Sequence, residues 1–206
     1  MSNNKAQFGQ DVQVLHTIYK GKRGGFFVEI GAYDGVESSN TYLMEKEYDW
    51  KGICVECNPR WVPHLRSTRN CQIDTHAMWK TDGSSMEFYD SGGYAGLVET
   101  NNHAHITRDR KITVTTKKLT TLLDECNAPR LIEFLSIDTE GSEFDILNAH
   151  DFDKYTFGYI CVEHNHVEKN RTAIRQLLES KGYVFVRANH VDDDYLHPRV
   201  VESLSS

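Results

Sequence analysis

Carboxylates in this chain gather where apolar runs stop. Val28-Glu29-Ile30-Gly31-Ala32-Tyr33-Asp34-Gly35 closes one run, and Glu56-Cys57 a second. Asp138-Thr139-Glu140-Gly141 closes a third, and Glu163-His164-Asn165-His166 a fourth. Gly31 and Gly35 would let the backbone of this turn, with Ala32 and Tyr33, approach a ligand closely. Asp34 between them would repel a pyrophosphate. Together with Glu29 it suits a cofactor that carries an ammonium and a sulfonium, as S-adenosylmethionine does. Glu56 is placed to accept both hydroxyls of a ribose. Ala77, in a later segment with Asp74 and His76, could flank an adenine.

The two later acidic ends suggest the chemistry. A hydroxyl is a poor nucleophile until its proton is removed, by a general base or with a divalent metal. Asp138, Glu163 and Asn165 offer the oxygen ligands that Mg²⁺ or Mn²⁺ accepts. In a metal-free site, Asp138 or His164 would be the base, since histidine titrates near neutral pH. Glu140 could simply serve the turn with Gly141, and Glu143 the start of a helix.

Apolar runs that alternate with helical patterns must hold these residues in place. FFVEIG, GICVEC, CQIDTHAMW, FLSID, YICVEH and YVFVRA read as strands. Helical patterns fall at SSNTYLMEKEYDW, from Ser39 or Asn40, through Phe144 and Leu147, and at RTAIRQLLES with Gly182 as its stop. Near-continuous apolar strands between helices predict an α/β fold, a doubly wound and mostly parallel sheet covered on both faces. Ser84 to Leu119 breaks the rhythm. SMEFYD and KITVTTKKL look like extra strands, joined by a long polar loop that could cover a substrate site. With 206 residues and no convincing boundary, a single domain spanning 1–206 is expected.

Composition narrows the function classes. The formal net charge of −7 disfavours a nucleic-acid partner, and no apolar run is long enough for a membrane span. The polar start shows no secretory signal, so a cytoplasmic location is expected. Cys54 and Cys57 form a C-x-x-C, but residues three apart on a strand point to opposite faces, so a zinc or redox pair is not expected. The missing third glycine disfavours an NAD-dependent oxidoreductase. Asp138-Thr139-Glu140-Gly141 stands where amino-directed nucleic-acid enzymes of this fold carry [DN]-P-P-[YF].

The motifs QFGQD, FFVEIGAYDGVESSNTYLMEKE, GICVECNP, LTTLLD, FLSIDTEGSEFDIL and ICVEHN together resemble the FkbM family of methyltransferases, a branch of the class I S-adenosylmethionine-dependent fold. Cys57 departs from the family's usual proline. The resemblance implies methyl transfer to oxygen on a sugar hydroxyl, typically a deoxyhexose such as rhamnose or fucose. The carbohydrate acceptor would be a glycan or a sugar nucleotide. It also implies cofactor-side roles for Gln10, Glu29, Gly31, Asp34, Gly35, Asn40, Glu56 and Asp138. A non-catalytic cofactor-binding module in a glycan-modifying protein is the alternative. Further candidates for substrate contact are His103 and His105, the basic run Arg108, Arg110, Lys111, Lys117 and Lys118, the aromatics Trp79 and Tyr94, and His190 with Asp192, Asp193 and Asp194 at the rim.

Overall fold

A computed structural model describes residues 4–102 and 110–204. The N-terminal segment forms a short helix, α1 (Gln10–Val12), that runs into a π-helical turn, Gln13–Ile18. Then come β1 (Phe26–Ile30), α2 (Tyr42–Tyr48), β2 (Lys51–Val55), α3 (Val62–Thr68), β3 (Gln72–Asp74), β4 (Ala77–Met78), β5 (Ser85–Tyr89), β6 (Gly96–Leu97) and β7 (Lys111–Lys117). The chain continues through α4 (Leu119–Glu125), β8 (Leu131–Ile137), α5 (Glu143–Asn148), β9 (Thr156–Glu163), α6 (Glu168–Ser180), β10 (Val184–Asn189), β11 (Asp192–Leu196) and α7 (Pro198–Leu204).

The main sheet has the order β10-β11-β9-β8-β1-β2-β3. All its pairings are parallel except those of β11, which runs antiparallel to β9 and β10. Strand alternation sends side chains to two cores. Val28, Ile30, Ile53, Val55, Leu135 and Ile137 pack with Leu122, Ile146, Ile174 and Leu178 of the helices on one face. Phe27, Cys54, Phe134 and Tyr159 pack with Leu15, Met44 and Leu65 on the other. Each fully buried aliphatic of this kind contributes roughly 1.5–3 kcal/mol. The sheet changes direction of winding at β1, between β8 and β2, which is where open α/β sheets bind ligands.

Two expectations change. CQIDTHAMW is not one strand. The Asp74 carboxylate accepts His76 N and breaks the run, so β3 stays with the main sheet while β4 joins β7, β5 and β6 in a second sheet. Asp192, Asp193 and Asp194 are not solvent acids either, because they are the first three residues of β11 and all are buried; Asp192 alone stays beside the rim, paired in register with Glu163. Aspartate is depleted in strands; here Asp193 and Asp194 have arginine partners, while Asp192 has only neutral donors and burial pushes its carboxyl up to about 6. Arg171 and Arg175 hold Asp193, Arg187 and Tyr159 hold Asp194, and Gln10 donates to Asp192.

The five cysteines are free; Cys54 lies in the second core, while Cys57 packs toward the smaller sheet. Among the described residues no helix is long and apolar enough to cross a membrane.

Candidate active site

At the end of β1 the chain must turn between two neighbouring strands. Asp138 N donates to Ile30 O, while Gly31 N and Ala32 N both donate to Val55 O. Gly31 has φ +87°, and a Cβ there would lie 1.8 Å from the Asp138 carbonyl oxygen, so only glycine fits. Asp34 Oδ1 accepts Val36 N and Glu37 N, and Gly35 packs against Leu65 and Arg69. Both residues shape the turn without lining the cavity behind it.

Glu29 does line the cavity, but its carboxylate is committed. It accepts Ser39 Oγ, Asn40 N and Thr41 Oγ1, and it pairs with the buried Arg69 at 3.2 Å. Asn40 turns its amide to Ser136. Gln10 is spent on Asp192 and on Phe8 N. The sequence singles out Gln10, yet its neighbours Gln7 and Phe8 line the cavity instead. At the end of β2, Glu56 accepts Asn58 N and Tyr33 N. Burial pushes its carboxyl up to about 7 against those two bonds. Tyr33, Cys57 and Ala77 stand beside it on the cavity wall.

The second half of the site is a carboxylate rim. Asp138 follows β8, Glu163 ends β9, and Glu140 projects from the turn between β8 and α5. Oxygens of the three all lie within 4.8 Å of one another. The turn is conformationally demanding: Glu140 has φ +60° and Gly141 φ +127°. Glu143, first residue of α5, secures it by accepting Thr139 N, Thr139 Oγ1 and Gly141 N. A Cβ on Gly141 would meet Thr100 O at 2.1 Å, and one on Gly96 would meet Thr139 O at 3.0 Å. Asn102 N donates to Glu140 O. The segment around β6 is thus clamped to the turn that carries Glu140.

Asn165 Nδ2 donates to Glu140 Oε2 at 2.9 Å and to Glu163 Oε2 at 2.8 Å. Asn165 therefore braces two carboxylates, and Glu140, read from sequence as a turn residue, takes the third corner. Asp138 keeps accessible surface, but that surface opens into the cavity while protein encloses the rest of the group. Burial pushes Asp138 up to about 7, with Asp192, Glu143 and Glu29 adding to it and a hydrogen bond with Glu163 opposing. Burial, then Asp138 and Glu143, push Glu140 up to about 8. Burial and the same neighbours raise Glu163 well above the carboxylate range. Like charges so close resist simultaneous ionisation, which a proton or a cation relieves.

His164 does not line this cavity. It is 3% exposed, its Nδ1 accepts His166 N, and its Nε2 lies 3.6 Å from Asp193. Burial lowers its pKa. The geometry thus takes His164 out of reach of an acceptor and leaves Asp138 and Glu163 at the front.

The cavity has a volume of about 640 Å³, within the ~300–1,000 Å³ usual for small-molecule sites. Beyond the rim it is bounded by Phe8, Tyr94, Trp61 and Val191. Phe8 stacks on His190 at 4.3 Å, and Tyr33 lies against Trp61 at 4.2 Å. Sequence reasoning missed Phe8 and Trp61, because lone aromatics outside a strand carry no periodic signal. Trp79 is buried in the core of the smaller sheet. The basic run is divided among local partners: Arg110 to Asp90, Lys111 to Glu87, and Lys117 to Asp74 and Glu125. His103, His105 and Arg108 lie outside the described residues.

A family model described as the methyltransferase FkbM domain matches residues 29–185. The chain belongs to the FkbM methyltransferase family. Solved structures agree on the fold. An FkbM methyltransferase from Methylobacillus flagellatus matches with a TM-score of 0.54 and 9% identity, over 93% of this chain and 56% of that one. This chain therefore spans a little over half of that longer relative. A precorrin-6y C5,15-methyltransferase from Geobacter metallireducens matches with a TM-score of 0.50 and 14% identity, over 95% and 89% of the two chains. No curated protein matches the sequence. This FkbM-family chain is accordingly a methyltransferase of the class I S-adenosylmethionine-dependent type, with its carboxylate rim beside the strand ends where such folds bind ligands.

Proposed function

We propose that this protein transfers the methyl group of S-adenosylmethionine to a sugar hydroxyl, on a deoxyhexose such as rhamnose or fucose. The observation that carries the reading is the convergence of Asp138, Glu140 and Glu163 on one cavity with Glu56 and the Gly31 turn. Glu56 would accept the ribose hydroxyls, with Ala77 and Cys57 beside the adenine. The acceptor oxygen would lie in line with the methyl group and the sulfur. The new O–C bond forms as the S–C bond breaks, and the hydroxyl proton passes to the Asp138 carboxylate. A carboxylate whose pKa lies near neutrality is matched to that task. Asn165 and Glu143 would keep the rim oriented while the proton moves.

As the alternative to a free Asp138 base, the rim fits Mg²⁺ or Mn²⁺, since three close carboxylates form a hard oxygen donor set. Asp138, Glu140 and Glu163 would hold the ion, with Asn165 supporting two of them. When bound, it would lower the pKa of the acceptor hydroxyl. Titration with S-adenosylhomocysteine, with Mn²⁺ and with chelator, tests cofactor and metal together. Asp138→Asn should lower kcat on a sugar acceptor by roughly 10²–10⁴-fold while the protein stays folded. Near-normal turnover in that variant would remove Asp138 from the mechanism.

A further inference from the structure

The motif QFGQD, residues 7–11, lies ahead of residues 29–185 that the family model matches, and the reaction proposed above gives it no part. Gln7 and Phe8 line the cavity. Gly9 has φ +72°, a left-handed turn that glycine adopts at little steric cost. Gln10 is 3% exposed, and its amide serves two partners: Oε1 accepts Phe8 N at 2.9 Å, and Nε2 donates to Asp192 Oδ2 at 2.6 Å. Asp11 is wholly buried and turns its carboxylate to the N–H groups of Lys5, Ala6 and Val12. Behind the motif, Val14 and Leu15 anchor the chain in the second core.

Ahead of Gly9 the segment takes a path over the strand ends. Ala6 forms a parallel bridge with Ser38, in the loop after β1. Phe8 stacks on His190 at 4.3 Å, and its carbonyl accepts Asn189 Nδ2 at 3.3 Å, both at the turn between β10 and β11. In the sheet order, β8 and β9 lie between β1 and β11, and they lead to Asp138 and Glu163. One end of the segment therefore meets the cavity wall of Glu37, Ser38 and Ser39, and the other meets Val191 beside the rim.

We infer that residues 6–9 are a strap that closes the cavity over bound S-adenosylmethionine, and that Gln10 is the positioning residue that fastens it to Asp192 and so seats Phe8 against the ligand. This goes beyond the sugar reading and holds whichever acceptor is methylated. The fastening is light. Phe8 lies outside the three hydrophobic clusters, and the strap is held by a bridge, a ring stack and hydrogen bonds. It can lift and reseat while α1 and the core stay in place. Closed, it keeps water from the sulfonium; to release S-adenosylhomocysteine it must open, a step that often limits turnover. An amide suits position 10 because it both accepts and donates. A carboxylate there would still accept Phe8 N but would face Asp192 with like charge.

The test measures release of S-adenosylhomocysteine from the 206-residue chain by stopped flow, read through the fluorescence of Trp61 in the cavity wall, with urea unfolding alongside. Gln10→Glu should speed release by about tenfold or more, since most changes in affinity appear in the off-rate. Phe8→Ala should also speed release, with an unfolding midpoint near that of the wild type, because its ring packs in none of the cores. Combining Gln10→Glu with Asp192→Asn rebuilds the pair with donor and acceptor exchanged. Release from that double variant should return to within about threefold of Asp192→Asn alone. A merely structural Gln10 would lower the urea midpoint and leave release from the folded protein unchanged. That result would overturn the strap, and so would fast release that the exchanged pair fails to slow. A wild type that binds no S-adenosylhomocysteine would remove the strap and the cofactor together, whereas failure to methylate any sugar would remove only the sugar reading.

Discussion

Arg69→Met tests whether Glu29 is part of the scaffold or part of the cofactor site. The Arg69 side chain is 0% exposed; Glu29 is 5% and Glu45 7% exposed. Removing the guanidinium strands carboxylates in a dry interior, which typically costs ~3–5 kcal/mol. The two acids differ in what remains to them. Glu45 keeps Lys46 at 3.0 Å and Asn70 N. Glu29 keeps only the neutral donors Ser39, Asn40, Thr41 and the weakly donating Cys54. Most of the loss should therefore trace to Glu29. Total stability of such a domain is ~5–15 kcal/mol, so the variant should remain folded with a much reduced margin. At a urea slope of ~2 kcal/mol/M, the midpoint should fall by ~2 M. Adding Glu29→Gln removes the stranded charge and keeps an acceptor for Asn40 N, so the double variant should regain ~1–3 kcal/mol over the single one. The assay is urea unfolding of the wild type and of the Arg69→Met, Glu29→Gln and double variants, in parallel with S-adenosylhomocysteine titration. The double variant should bind the cofactor product better than Arg69→Met alone. A single variant within ~1 kcal/mol of wild type, well below the usual cost of a broken buried pair, would refute the argument. So would a double variant no more stable than the single.

Two further outcomes are expected. Gly31→Ala must open the contact with the Asp138 carbonyl from 1.8 Å to the 3.0 Å that real Cβ atoms keep. A displacement of that order costs ~10²-fold in kcat/KM, and unchanged kinetics would show that the β1 and β8 ends need no such register. His150 sits 7% exposed against Phe152 and Phe157, with Nε2 bonded to Tyr155 O, and burial holds it down at about 4 against its ordinary 6.5. The native state then binds fewer protons than the unfolded chain between those values. The histidine's contribution is intact above pH 6.5 and is lost as pH falls toward 4, by ~2 kcal/mol at pH 5. Unfolding of wild type and His150→Gln at pH 8 and pH 5 reads that difference, and parallel losses in the two proteins would contradict it.

The parallel half of the sheet was legible in the sequence because apolar runs alternate with helical patterns there, each run ending in an acid. Glu56, Asp138 and Glu163 could be placed on one rim by that logic alone. What escaped detection was charge that serves packing. Asp193 and Asp194 look like solvent residues until the arginines of α6 and β10 reach them, and Asp192 until Gln10 does. His164 and Asn165 are adjacent in sequence, yet one faces Asp193 and the other braces the rim. Both stand past the strand end, where simple alternation stops ruling. Glu140 was undervalued because an acid before a glycine in a turn usually does no more than form the turn. Its role rests on the left-handed backbone, which no residue pattern announces.

The clamp between the β6 segment and the Glu140 turn bears on how this protein could be re-engineered. Insertions after the third strand invite treatment as exchangeable cassettes for new acceptors. Here the insertion is not modular. A Cβ on residue 96 would lie 3.0 Å from the Thr139 carbonyl oxygen and 3.2 Å from the Glu140 Cβ, one on residue 141 would lie 2.1 Å from Thr100 O, and Asn102 N donates to Glu140 O. A grafted segment that lacked the small residue and that backbone donor would leave the rim with two carboxylates in place and the third adrift. On the proposed role of the rim, changing the acceptor and keeping the carboxylates in place are thus one design problem, to be solved together at the residue 96–102 and 139–141 junction.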